Sequence, residues 1–179
     1  MKPQTDRLRR EFDEVLRHGS ALVGRLDDQA LQRRPSADSW SVAECVDHLS
    51  ATAELYVRRF RRTLDAATLR SEQPRERLSL RGWLLVTFME PPVRRLRLKL
   101  PTQKIAPAGM PSRDALLQRF EDMHRQLAAL LEESDGYDRL KLRVTTPASK
   151  HLKITLVDGF SLLTAHARRH LWQAERAAG

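Results

Sequence analysis

Four stretches of this chain repeat apolar side chains at steps of three and four residues, the spacing of one face of an α-helix. No helix can hide its own apolar stripe from water. Four of them must therefore cover one another, and an all-α four-helix bundle does this. The first stripe is Leu8, Phe12, Val15, Gly19, Leu22 and Leu26; Gly19 and Gly24 weaken it slightly, and Pro35 closes the region. The second is Val42, Val46, Leu49, Ala53, Val57, Phe60 and Leu64. It follows Ser41 and Glu44, an S-x-x-E capping box, and is expected to run to about residue 68. The third, Leu116, Phe120, Met123, Leu127 and Leu130, lies behind a candidate N-cap at Ser112 with Asp114 in the first turn, and ends at Gly136. The fourth, Leu156, Phe160, Leu163, Ala167, Leu171 and Ala174, follows a second box made by Thr155 and Asp158.

The connections are uneven. Five of the nine prolines fall between residues 91 and 111, which predicts a long irregular crossover between the second and third helices. Just before it, the apolar run WLLVTFM at 83–89 is expected either to pack over the bundle as an extra short helix or to serve as an interface in a homodimer. Residues 140–159 are rich in turn formers and contain Pro147, with room for a brief strand at either end. A length of 179 residues suits one domain over 1–179.

The formal charge of +9 raises the question of a nucleic-acid partner. Arg58, Arg59, Arg61 and Arg62 form one basic stretch, and Arg94, Arg95, Arg97 and Lys99 another. Acidic residues interleave with the basic ones and no recognition motif accompanies them, so a solvated surface is the reading preferred here and no nucleic acid is expected. The longest apolar run is far too short to span a membrane. With Cys45 as the only cysteine, an internal disulfide is excluded; with no signal-peptide core in the first twelve residues, the expectation is a cytoplasmic protein.

Chemistry concentrates in the histidines. His166 and His170 stand four apart on the last helix, on the same side and about 6 Å apart along the axis. That spacing suits two imidazoles on one metal ion, and it equally suits two polar residues beside an apolar stripe. The pair lacks the internal glutamate of H-E-x-x-H, which disfavours a zinc-protease mechanism. A third ligand has to come from another helix, and His48 on the second helix is the candidate, although it lies off the centre of its own stripe. His18 is read as surface, His124 as an edge-of-core residue and His151 as a loop residue.

Two patterns at these positions resemble the DinB superfamily, which includes the YfiT-like metalloenzymes. One is W-S-x-x-E-x-x-x-H-L, present as Trp40, Ser41, Glu44, His48 and Leu49; the other is H-x-x-x-H-x-x-Q, present as His166, His170 and Gln173. The resemblance covers essentially the whole chain. It implies a four-helix bundle holding a divalent metal, zinc or nickel, on His48, His166 and His170. Several relatives are transferases using a low-molecular-weight thiol such as bacillithiol, mycothiol or glutathione.

Three neutral imidazoles leave such a metal its full charge and an open position, which acidifies a bound water or thiol. The expectation is therefore a thiol-dependent transferase acting on an electrophilic small-molecule substrate. A metal-dependent hydrolase and a non-catalytic, stress-related binding or scaffold protein are the alternatives. Glu44 is expected either to orient His48 through its distal N–H or simply to complete the capping box. Gln173 either hydrogen-bonds a ligand or substrate or is a polar residue near a helix end. Trp40 is read as anchoring the start of the second helix. Cys45 is read as a small buried residue; as a fourth ligand it would close the coordination sphere.

Overall fold

Hydroxyl caps start three of the four long helices where the sequence places them. A computed structural model of the protein describes residues 3–68, 77–91, 112–147, 149 and 151–179. Its helices are α1 (Pro3–Gly24), α2 (Asp28–Gln32), α3 (Val42–Asp65), α4 (Leu80–Met89), α5 (Arg113–Glu133) and α6 (Leu156–Ala178), with strands β1 (Arg143–Thr145) and β2 (Lys153–Thr155). Both predicted capping boxes form, Ser41 with Glu44 at α3 and Thr155 with Asp158 at α6. Ser112 caps α5 by accepting from the Ala115 amide.

The all-α bundle is present. α3 lies against α5 and α6, and α1 lies against the same two, so α1 and α3 sit on one diagonal and α5 and α6 on the other. The predicted stripes supply the core: Phe12, Phe60, Phe160 and Leu163 in one half, Val15, Val46, Phe120 and Leu171 in the other. Phe60 and Phe160 meet at a tilt of 52° with ring centroids 4.4 Å apart, and Phe12 meets Phe160 edge-on at 6.3 Å. Gly19 does not interrupt α1. A Cβ there would overlap the Phe120 ring, so glycine is what lets that ring lie against the helix.

Several boundaries differ from the expectation. The first stripe does not continue unbroken to Leu26. α1 stops at Gly24, and Asp27 caps a separate five-residue helix by accepting from the Ala30 amide at 2.7 Å. α3 ends at Asp65 rather than near 68. Gly136 closes a short 3₁₀ turn, Ser134–Gly136, that follows α5. The turn-rich segment forms an antiparallel pair with Val144 opposite Ile154, both turned into the core. The expected crossover over 91–111 falls almost wholly outside the described residues.

The apolar run at 83–89 takes the role of an extra helix over the bundle. α4 docks on α6, with Leu85 against the core, while Leu80, Trp83, Leu84 and Phe88 are exposed. The joint is close: a Cβ on Gly82 would overlap the Asp158 carboxylate. That buried carboxylate serves two helix starts at once. It accepts from the Ser79 amide at 2.9 Å and the Ser79 hydroxyl at 2.6 Å at α4, and from the Thr155 amide at 3.3 Å at α6. No described helix is long and apolar enough to cross a membrane.

His124 is buried in the core, its Nδ1–H donating to the Phe120 carbonyl at 2.8 Å. Burial pushes this imidazole down to about 4, with a partial offset from that hydrogen bond. The folded chain therefore binds fewer protons here than the unfolded chain between pH about 6.5 and 4. Stability from the neutral ring is complete above that window and drains as the pH falls through it. In urea titrations, His124→Leu is expected to lose about 3 kcal/mol less than the parent chain between pH 7 and pH 4. Parallel acid limbs would show that the ring is not held neutral.

Candidate metal centre

The capping box that starts α3 also places the residues nearest the histidines. The Ser41 amide donates to Glu44 Oε2 at 2.9 Å and the Glu44 amide donates to the Ser41 hydroxyl at 3.2 Å, which fixes the chain at the residue after Trp40. Arg34 closes on the same carboxylate, Nε to Oε2 at 2.8 Å, and a second contact joins its other nitrogen to Oε1. Glu44 thus has its carboxylate engaged by the backbone of its own helix start and by a cation, and these contacts hold it below its ordinary value against the opposing effect of burial. Arg34 carried no signal in the sequence, because its partner lies ten residues away across a loop and a helix start.

Two turns into α3, His48 meets the pair on α6. Its Nε2 stands 3.3 Å from His166 Nε2, and one nitrogen from each of His48, His166 and His170 lies within 4.8 Å of the others. The ring centroids are 5.2 Å apart for His48 and His166, 4.6 Å for His48 and His170, and 4.5 Å for His166 and His170. All three are partly buried. The sequence-predicted residues from two helices therefore converge on one point at the flank of the bundle, beside the core half that contains Val46, Ala167 and Leu171.

The donor set fits a divalent ion. Two nitrogens each about 2.0–2.1 Å from a tetrahedral zinc stand about 3.3–3.4 Å apart, the separation of the His48 and His166 nitrogens. The third nitrogen lies within 4.8 Å of both. His170 also has a buried Nδ1 with no hydrogen-bond partner among the described residues. Burial holds His166 well below the usual histidine range, reinforced by His170, His48 and Arg169. His170 is pushed down to about 3 by burial, then by His48 and Arg169, against a partial offset from the Gln173 amide. Neutral imidazoles at physiological pH are the form that ligates a metal.

Gln173 lies one turn beyond His170 and is the only second-motif residue besides the two histidines; its amide acts on the His170 ring. Cys45 is fully buried and does not enter the histidine group. Burial, with help from the Glu44 charge, pushes its thiol up to about 12, so it stays protonated. His18 on α1 pairs with Glu175 on α6 at 2.8 Å, and His151 is exposed in the turn between the strands.

Trp40 is the residue whose place the sequence did not reveal. It packs against the core of this half, as expected of a residue anchoring a helix start. It also folds back along α3, stacking on His170 at 5.6 Å with 21° between the planes and meeting His48 at 5.0 Å. Its position in the W-S-x-x-E pattern is the only signal in the sequence that could have marked it.

No curated protein and no solved structure shows a significant match to this chain. The sequence pattern of the DinB superfamily matches residues 7–174, a span that takes in α3, α6 and all three converging histidines. On that match, with the bundle and its three-histidine cluster in place, the chain belongs to the DinB superfamily.

Proposed function

We propose that His48, His166 and His170 hold a divalent metal, zinc or nickel, and that the protein is a metal-dependent enzyme joining a low-molecular-weight thiol to an electrophilic small molecule. The observation that carries this reading is the convergence of three imidazoles from α3 and α6, two of them with facing nitrogens 3.3 Å apart. An ion bound there would supply Lewis acidity, lowering the pKa of a thiol or water brought to it.

The chain's own residues favour the thiol. The three imidazoles contribute no negative charge to cancel that of the ion, and no carboxylate joins their group among the described residues. Glu44, one turn before His48, is paired with Arg34. Arg169 adds a cation that acts on both His166 and His170, and its guanidinium is tethered to the Phe88 carbonyl at 3.4 Å. A site with this balance favours an anionic occupant, and a thiolate is one. Gln173, beside His170, offers an amide that donates or accepts toward a substrate. The basic residues of α3 support a solvated surface rather than a phosphate track: Arg58 is paired with Glu54, and Arg61 with Glu133 at 2.7 Å.

The test is a conjugation assay. Tag-free protein loaded with zinc or nickel would be offered glutathione, mycothiol and bacillithiol with a chromogenic aryl halide, the S-conjugate being followed by mass spectrometry. Conjugate formation above background with at least one thiol, lost in His166→Ala, is the expected result. Turnover of an ester or amide panel without any thiol would move the site to hydrolysis. No turnover in either assay would leave a non-catalytic bundle.

A further inference from the structure

A ligand imidazole is usually oriented by a hydrogen bond from its second nitrogen, and losing that partner typically costs about 10–100-fold in metal affinity. His170 has one such tie, a side-chain hydrogen bond with Gln173, while its buried Nδ1 has no partner among the described residues. What lies on its ring is an indole, nearly parallel at 21° and 5.6 Å. The same indole meets His48 on the neighbouring helix at 5.0 Å and 56°. One side chain therefore touches a ring from each of the two helices that build the site.

We propose that Trp40 is a positioning residue of the metal centre, clamping His170 by stacking and bracing His48. This rests on the metal reading above. A histidine ring turns on a broad terminal torsion, and a flat aromatic neighbour restricts that rotation alongside the single hydrogen bond from Gln173. The indole is itself held. It sits immediately before Ser41, whose amide is fixed by Glu44, and Glu44 is fixed by Arg34. The capping box thus sets the site indirectly, through the tryptophan that precedes it. Aromatic contacts of this kind are favourable beyond their burial, enough to select one ring orientation over another.

Trp40→Leu, which keeps apolar bulk without a π-face, and Trp40→Phe, which restores a ring, separate positioning from packing. Affinity for zinc would be measured by competition with a chromogenic chelator, with circular dichroism to confirm helicity. The ligand-field spectrum of the cobalt-loaded proteins gives a second readout. Trp40→Leu is expected to weaken zinc binding about 10-fold or more and to alter the cobalt bands, while Trp40→Phe recovers most of both. Zinc affinity in Trp40→Leu within twofold of the parent chain, with unchanged cobalt bands, would overturn the proposal while leaving the metal reading intact. A parent chain that binds neither ion would defeat the metal reading itself, and this proposal with it.

Discussion

Replacing His48, His166 or His170 by alanine is expected to abolish stoichiometric metal binding while leaving the bundle folded. Each ring donates one nitrogen to a group of three. Its removal leaves two ligands, a larger loss than the about 10–100-fold that follows from disturbing an outer partner. The fold should tolerate the change. The main interaction lost between His48 and His166 is one 3.3 Å contact between nitrogens, worth about 1 kcal/mol as a hydrogen bond. For a chain of this size that shifts the melting point by only about 2–4 °C. The informative readout is therefore the shift on adding metal. At a free concentration 100 times Kd, a site that exists only in the folded state gains about 2.7 kcal/mol, or roughly 5–11 °C. The parent chain should show that shift and the three variants should not. Equal shifts in all four proteins would place the metal elsewhere.

Asp158→Ala is expected to give the largest loss of stability among single polar substitutions. The carboxylate is buried and accepts from Ser79 twice and from the Thr155 amide once, so its removal strips the starts of α4 and α6 together. A lost cap costs about 1 kcal/mol, and a buried donor left without a partner costs about 1–3 kcal/mol. The sum expected is about 3 kcal/mol, a fall in melting point of roughly 6–12 °C. Gly82→Ala acts on the same joint from the other side, since its Cβ has no room beside that carboxylate. Thermal melts followed by circular dichroism check both. A fall of less than 2 °C in Asp158→Ala would mean that solvent replaces the carboxylate without cost.

Most of this architecture was legible in the sequence because it is local. A stripe with period 3.6 forces a helix, and a Ser or Thr cap with an acid in the first turn marks where it starts, so the starts of α3, α5 and α6 followed from the pattern. The histidine pair was legible for the same reason: a spacing of four fixes two side chains on one face. His48 was legible as the third ligand by elimination and by the family pattern rather than by spacing, since it is the neighbouring placement of α3 and α6 that joins it to the pair. The break at Gly24 was missed because Leu26 continues the period past the end of α1, just before Asp27 caps a new helix. Three-residue strands are too short to show alternation, and their pairing depends on backbone contacts between separated segments. Trp40 and Arg34 were not legible as site residues, because side chains that fold back from loops leave no periodic trace.

The most direct test of the central claim is X-ray absorption at the metal edge of tag-free protein loaded with zinc and freed of excess ion. One zinc per chain with the multiple-scattering signature of three imidazoles, nitrogen near about 2.0–2.1 Å, is the predicted result. Protein that retains no metal, or a spectrum without imidazole scattering, would contradict it and leave the three histidines as structural residues of the bundle.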